Sequence, residues 1–311
     1  MSVRCHGVAV SELKTGFPIG FLPCLMSGAL KQGMLKLIRR RFRIASSKGN
    51  AMAKIVSVHS FRGGTGKSNS TANLAAAIAL QGNRVGIVDT DIQSPGIHVL
   101  FGFDENKLER SLNDYLWGRC GVQATAYDVT SALKGAGAAC SRIYLIPSSL
   151  RAGEIARVLR EGYDVGLLND GFQDLIRILD LDYLLIDTHP GLNEETLLSI
   201  SISDILILIL RPDQQDFQGT AVTVDIARKL EVPQLLIIVN KVLASFDFTV
   251  LKAQVENTYG APVAGIFPLS EEMIQLGSSD IFYLCYPDHL FSQAIRSVAE
   301  QLIGESVKLS F

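Results

Sequence analysis

Residues 54–80 read KIVSVHSFRGGTGKSNSTANLAAAIAL, and the fold is decided here. KIVSVH is a short apolar, β-branched strand, and from Lys67 onward the composition is helix-forming. Between them stand Gly63, Gly64 and Gly66, which open backbone conformations closed to other residues. Successive main-chain N–H groups from Gly63 through Thr65 to Ser68 can then curl round a phosphate. Lys67 would reach the β- and γ-phosphates, the Ser68 hydroxyl would ligate Mg²⁺, and the helix N-terminus adds its partial positive charge. A glycine-rich loop alone could be a turn. Strand, three glycines, Gly-Lys-Ser and helix in that order specify a nucleotide-phosphate loop.

Working outward, apolar strand candidates alternate with helical patterns. The strands are Lys54–His59, Arg84–Val88, Ile143–Ile146, Tyr183–Ile186, Asp204–Leu210, Gln234–Val239 and Pro262–Ile266. The helices are Lys67–Leu80, Ser111–Trp117, Ala152–Arg160, Gly171–Leu179, Glu194–Ser201, Gly219–Leu230, Thr249–Tyr259 and a last one near His289–Ile303. Near-continuous apolar strands alternating with helices predict an α/β fold: one P-loop NTPase domain over 54–311, its mostly parallel twisted sheet flanked by helices on both faces. Such sheets bind ligands at the carboxyl ends of their strands, where every motif of interest falls.

The loop lacks the ordinary G-x-x-x-x-G-K-[ST] spacing, because position 61 is Phe. R-G-G-T-G-K-S resembles instead the deviant Walker A motif, K-G-G-x-G-K-[ST], of the MinD/ParA family of dimeric ATPases. VDTDIQSPG after the second strand is similar to that family's switch I, and YLLIDTHPGL (183–192) to its Walker B and switch II. LLIIVNKV ends near Asn240, where the family places an adenine-recognising residue. The resemblance implies that Asp187 holds Mg²⁺ through water, that Asp89 helps the metal shell and that Asp91 orients the attacking water. Asp187 as a helix N-cap, and Asp89 and Asp91 as solvated turn carboxylates, are the alternatives. Leu243 stands where the N-K-x-D signature of GTPases has its carboxylate, so adenine is preferred to guanine. Asn69 replaces the family's usual Thr and can still donate to the α-phosphate. The family's signature lysine, which reaches across the dimer, is here Arg62, whose planar fork suits phosphate oxygens. His189 occupies a usually Pro-rich or small position, either sensing the γ-phosphate or serving as a turn histidine.

Composition bounds the rest. Hydrophobic residues at 48% and charged residues at 19% describe a globular chain. The net charge of −2 conceals a basic leader, with nine Lys/Arg and only Glu12 opposing them in residues 1–53. The remaining body has 20 basic and 30 acidic residues, which disfavours nonspecific DNA binding. The leader reads as a disordered tail, a misassigned start with translation beginning at Met52, a presequence, or a surface for an anionic membrane or nucleic acid. Five cysteines without C-x-x-C spacing and no secretory pattern place the protein in the cytoplasm. The tail GESVKLSF carries one lysine and one glutamate, so membrane association through it is weakly supported.

The resemblance therefore implies a slow, partner-stimulated ATPase using ATP and Mg²⁺, a homodimer when ATP-bound, that regulates or positions a partner or cargo protein. A nucleotide-gated binding protein with little turnover is the alternative. An iron–sulfur reductase subunit would need dimer-bridging cysteines, and GRCGV and AACSR lack those contexts. A small-molecule kinase or ligase would need an acceptor pocket with no sequence signature. The polar segment 211–220 reads as a solvated loop with an N-cap, or as a partner contact.

Overall fold

The computed structural model describes residues 53–307, so leader residues 1–52 and tail residues 308–311, with the expectations attached to them, lie outside the described residues. The first half of the body runs β1 (Lys54–His59), α1 (Lys67–Leu80), β2 (Arg84–Asp89), α2 (Leu112–Leu116), β3 (Tyr127–Asp128), β4 (Arg142–Ile146), α3 (Ala152–Glu161) and α4 (Val165–Leu179). It continues with β5 (Tyr183–Asp187), α5 (Glu194–Ile202), β6 (Ile205–Leu210), α6 (Gln214–Lys229), β7 (Gln234–Val242) and α7 (Phe248–Tyr259). Last come β8 (Val263–Pro268), α8 (Glu271–Leu276), α9 (Phe282–Cys285) and α10 (Leu290–Val307). The strands form one eight-stranded sheet in the order β3-β4-β2-β5-β1-β6-β7-β8. Every pairing is parallel except that of β3, a two-residue antiparallel edge.

β6 shows why the sheet is sandwiched. In its sequence ILILIL, Ile205, Ile207 and Ile209 join the core beneath α1 and α10, while Leu206, Leu208 and Leu210 face α6 and α7. Side chains alternate across a strand, so a strand apolar at every position needs cover on both sides. The second face has a further core, in which Leu184 and Ile186 of β5 meet Leu168, Phe172 and Leu175 of α4. Helix α1 is buried around most of its circumference, between the sheet and α10. Phe267, Phe282 and Phe291 lock that layer through edge contacts of 5.0 and 5.6 Å.

The seven expected strands and eight expected helices form, with two displaced starts. Helix α6 begins at Gln214 rather than Gly219, because Asp213 caps it by accepting from Asp216 N at 2.9 Å. Residues 211–220 are therefore no solvated loop, and Asp216 is buried at 2% exposure. Helix α4 begins at Val165 rather than Gly171, where Asp164 accepts from Gly166 N at 2.7 Å. Strand β3 and the short helices α8 and α9 have too little periodicity to be read from sequence. Among the described residues, no helix is long and apolar enough to cross a membrane.

Candidate nucleotide site

The carboxyl ends of β1, β2, β5 and β7 converge on the loop between β1 and α1. Gly64 and Gly66 take φ of +76° and +93°, in the left-handed region. A Cβ on Gly66 would overlap the Asn240 amide nitrogen. The loop is held there from β7: Asn240 Nδ2 donates to Thr65 O at 2.8 Å, and Lys241 Nζ donates to Gly64 O at 2.8 Å. Asn240 Oδ1 in turn accepts from Lys241 N at 2.8 Å. Asn240 is thus beside the loop with one amide hydrogen engaged on it. Lys241 as a brace was not foreseen, and its position after Asn240 in the N-K pair was the available signal.

Helix α1 starts at Lys67, whose ammonium is nearly buried and lies 3.9 Å from Asp187 Oδ1. Asp187 ends β5 fully buried, and neither of its carboxylate oxygens has a hydrogen-bond partner. Burial pushes its carboxyl above the usual range, while Lys67 and the Ser68 hydroxyl pull it down. A buried oxygen pair without donors, facing Ser68 and Lys67, suits a hard divalent cation held by oxygen ligands or their waters. Asn69 directs Oδ1 to Asn73 Nδ2 at 2.7 Å, and Asn73 Oδ1 accepts from Tyr283 N at 2.6 Å, tying the helix start to α9.

Asp89 is level with Asp187 on the adjacent strand. Its Oδ1 accepts from Asp91 N at 3.0 Å and its Oδ2 from Gly96 N at 3.2 Å. Asp89 therefore shapes the loop after β2, with neither oxygen free of a donor. Burial, with Asp187 and Asp91 close by, pushes its carboxyl well above the usual range. Asp91 is almost buried, so neither member of this pair is a solvated turn carboxylate. Its Oδ1 lies 2.6 Å from His189 Nδ1.

His59, at the end of β1, is a site neighbour that sequence reading passed over. Its Nδ1 stands 2.8 Å from Thr188 Oγ1, which itself donates to Val58 O at 3.0 Å. With the threonine hydrogen used on Val58, the imidazole must donate from Nδ1. Its Nε2 is then an acceptor, buried and without a partner. Burial, then Lys67 and His189, lower the ring's pKa from 6.5 to about 3, so it is neutral. A lone titratable residue closing an apolar strand just before the loop was the signal.

Arg62 lies on the outer side, 41% exposed. Its guanidinium donates to Gln215 Oε1 and stands 3.9 Å from Asp213 and 3.8 Å from Asp216. Asp216 is held from behind by Arg211, whose N and Nε donate at 3.0 and 2.9 Å. Phe61 packs on α6, where a Cβ at Gly219 would overlap its ring. The described cysteines lie elsewhere: Cys140 donates to Gly82 O at 3.1 Å, and Cys285 sits near Lys134. Among the described residues no group of three or more His, Cys, Asp or Glu is arranged to hold a metal.

A family model described as an AAA domain matches residues 53–251. An ATP-binding protein of Methanocaldococcus jannaschii is 28% identical over 254 residues, covering 81% of this chain and 89% of that protein. The septum site-determining protein MinD of Bacillus subtilis is 26% identical over 83% of this chain and 92% of its own. An iron–sulfur cluster carrier protein of M. jannaschii is 30% identical over 66% of this chain and 65% of its own. The structure of MinD from Pyrococcus horikoshii complexed with Mg-ADP matches with a TM-score of 0.65 at 21% identity, over 82% of this chain and 99% of that one. The chain belongs to the AAA domain family matched over 53–251, as a P-loop ATPase of the MinD/ParA type.

Proposed function

We propose that the protein is an ATP-dependent dimerisation switch, a slow and partner-stimulated ATPase that regulates or positions another protein. The observation that carries the reading is the buried pair of Lys67 and Asp187, 3.9 Å apart at the foot of the phosphate loop. Both Asp187 oxygens lack donors, an arrangement that a bound divalent cation would relieve. On this reading the Gly63–Ser68 amides and Lys67 neutralise the phosphates, and Asn240 flanks the adenine. Ser68 and Asp187, with Asp89 behind them, would hold Mg²⁺, which supplies charge neutralisation at the transferring phosphoryl group. Asp91 stands on the side of the attacking water.

Arg62 is the residue assigned to the partner's nucleotide. Its guanidinium, 41% exposed, would exchange its contacts on α6 for phosphate oxygens across a dimer. Light scattering on the purified chain with Mg·ATP, Mg·ADP and no nucleotide tests this. A dimer with ATP alone, lost in Arg62→Ala, is the expected result. A parent that stays monomeric while saturated with ATP, or an Arg62→Ala variant that dimerises and hydrolyses like the parent, overturns it. The clasp of Gln215 on Arg62 favours one second reading, a nucleotide-gated binding protein with little turnover. Single-turnover hydrolysis with and without candidate partners separates the two.

A further inference from the structure

Strand β7 breaks its ladder with β8 between Val239 and Val242, and the two residues skipped are Asn240 and Lys241. Lys241 takes φ of +59°, in the left-handed region where a side chain strains the backbone. Its N–H donates to Asn240 Oδ1 at 2.8 Å. Its stem crosses Gly66, with Cε 4.0 Å from where a Cβ on that glycine would stand. Its Nζ then donates to Gly64 O at 2.8 Å, 177 residues away in the chain. The ammonium is exposed and makes no ion pair among the described residues.

A trans peptide points its C=O and the following N–H in opposite directions. With Gly64 O drawn to Lys241, the Thr65 N–H is turned away from that lysine. With Thr65 O drawn to Asn240 Nδ2, the Gly66 N–H is turned away from Asn240. Among the described residues neither N–H donates a hydrogen bond. Two consecutive unpaired donors beside the buried Lys67 are what a phosphate oxygen requires.

We propose that Lys241 is a positioning residue for the nucleotide's phosphates: by holding Gly64 O it aims the Thr65 N–H at the diphosphate. The proposal rests on the nucleotide-binding reading above. It also accounts for the strained backbone at position 241. Glycine would relax there, but only a long side chain with a donor at its end reaches Gly64 O. Stability and phosphate binding therefore part company at this residue.

Urea unfolding, with affinities for Mg·ADP and for inorganic pyrophosphate with Mg²⁺, tests this. Lys241→Gly is expected to unfold at the parent's midpoint or above it, and to bind both ligands about tenfold more weakly. Lys241→Met keeps the stem, loses the donor and should weaken both ligands alike. Lys241→Arg, which can again donate to Gly64 O, should recover most of the loss. Pyrophosphate has no base, so a lysine that served the adenine would show a loss for Mg·ADP alone, and that result overturns the proposal. Parental affinity in Lys241→Met overturns it too, and decides the matter should Lys241→Gly not fold. So does a parent that binds Mg·ADP but no pyrophosphate, since a loop aimed in advance must hold the anion by itself. A parent that binds neither ligand sinks the nucleotide reading and this inference together.

Discussion

On the β7 side of the phosphate loop the polar side chains serve the loop itself. Asn240 and Lys241 each donate at 2.8 Å to a loop carbonyl, and Asn240 Oδ1 is satisfied by the next amide. On the β5 side the opposite holds. Asp187 is buried with both oxygens unmatched, and His59 Nε2 is buried without a donor. Each such group costs about 1–3 kcal/mol relative to a satisfied one. The β7 side is scaffold. The β5 side holds buried groups that an entering ligand would satisfy, and the proposed chemistry falls there.

The sharpest way to break this contrast is Gly66→Ala, on the braced side. The left-handed backbone there costs a side chain about 1–2 kcal/mol, and the displaced Asn240 bond adds about 1 more. Mg·ADP affinity should fall on the order of 100-fold by calorimetry; unchanged affinity would mean that the brace does not set the loop. Next comes His59. A ring neutral to about pH 3 but titrating at 6.5 when unfolded binds its extra proton in the unfolded state, so its stabilising effect is whole above 6.5 and fades as pH falls. Between pH 7 and 5 the parent should lose about 2 kcal/mol relative to His59→Thr in urea unfolding. Parallel curves for the two proteins would place His59 outside the frustrated side.

Asp187→Asn probes the same side through the metal. Chelating Mg²⁺ should weaken ADP binding by the parent about tenfold, roughly 1.4 kcal/mol, and should leave the variant's affinity where it was. An equal loss in both would remove Asp187 from the metal's surroundings. The smallest effect belongs to Arg62→Ala. Arg62 and Asp213 are about 40% exposed, and Arg211 still holds the buried Asp216, so monomer stability should change by less than about 0.5 kcal/mol. A larger drop would make the clasp on α6 part of the scaffold.

The sheet was legible because its strands are apolar at consecutive positions, as ILILIL is, and because the glycine loop has few other meanings. Bringing Lys67 to Asp187 followed from the resemblance of the loop and of YLLIDTHPGL to the family's motifs. What stayed hidden depends on contacts across long sequence distances. Asp216 reads as solvent-facing beside its charged neighbours, yet Arg211 closes over it through both backbone and side chain. His59 sits in a strand pattern that any polar residue could end, and only the hydroxyl of Thr188, 129 residues away, fixes its tautomer. Nothing local to Asp89 reveals that Asp91 N and Gly96 N both donate to its carboxylate.

The bond from Asn240 to Thr65 spans 175 residues of chain. During synthesis the loop emerges early, but its left-handed turn is not secured until the seventh strand has left the ribosome and docked. This brace is therefore a late, long-range contact of the fold, made only once most of the polypeptide is available to pair.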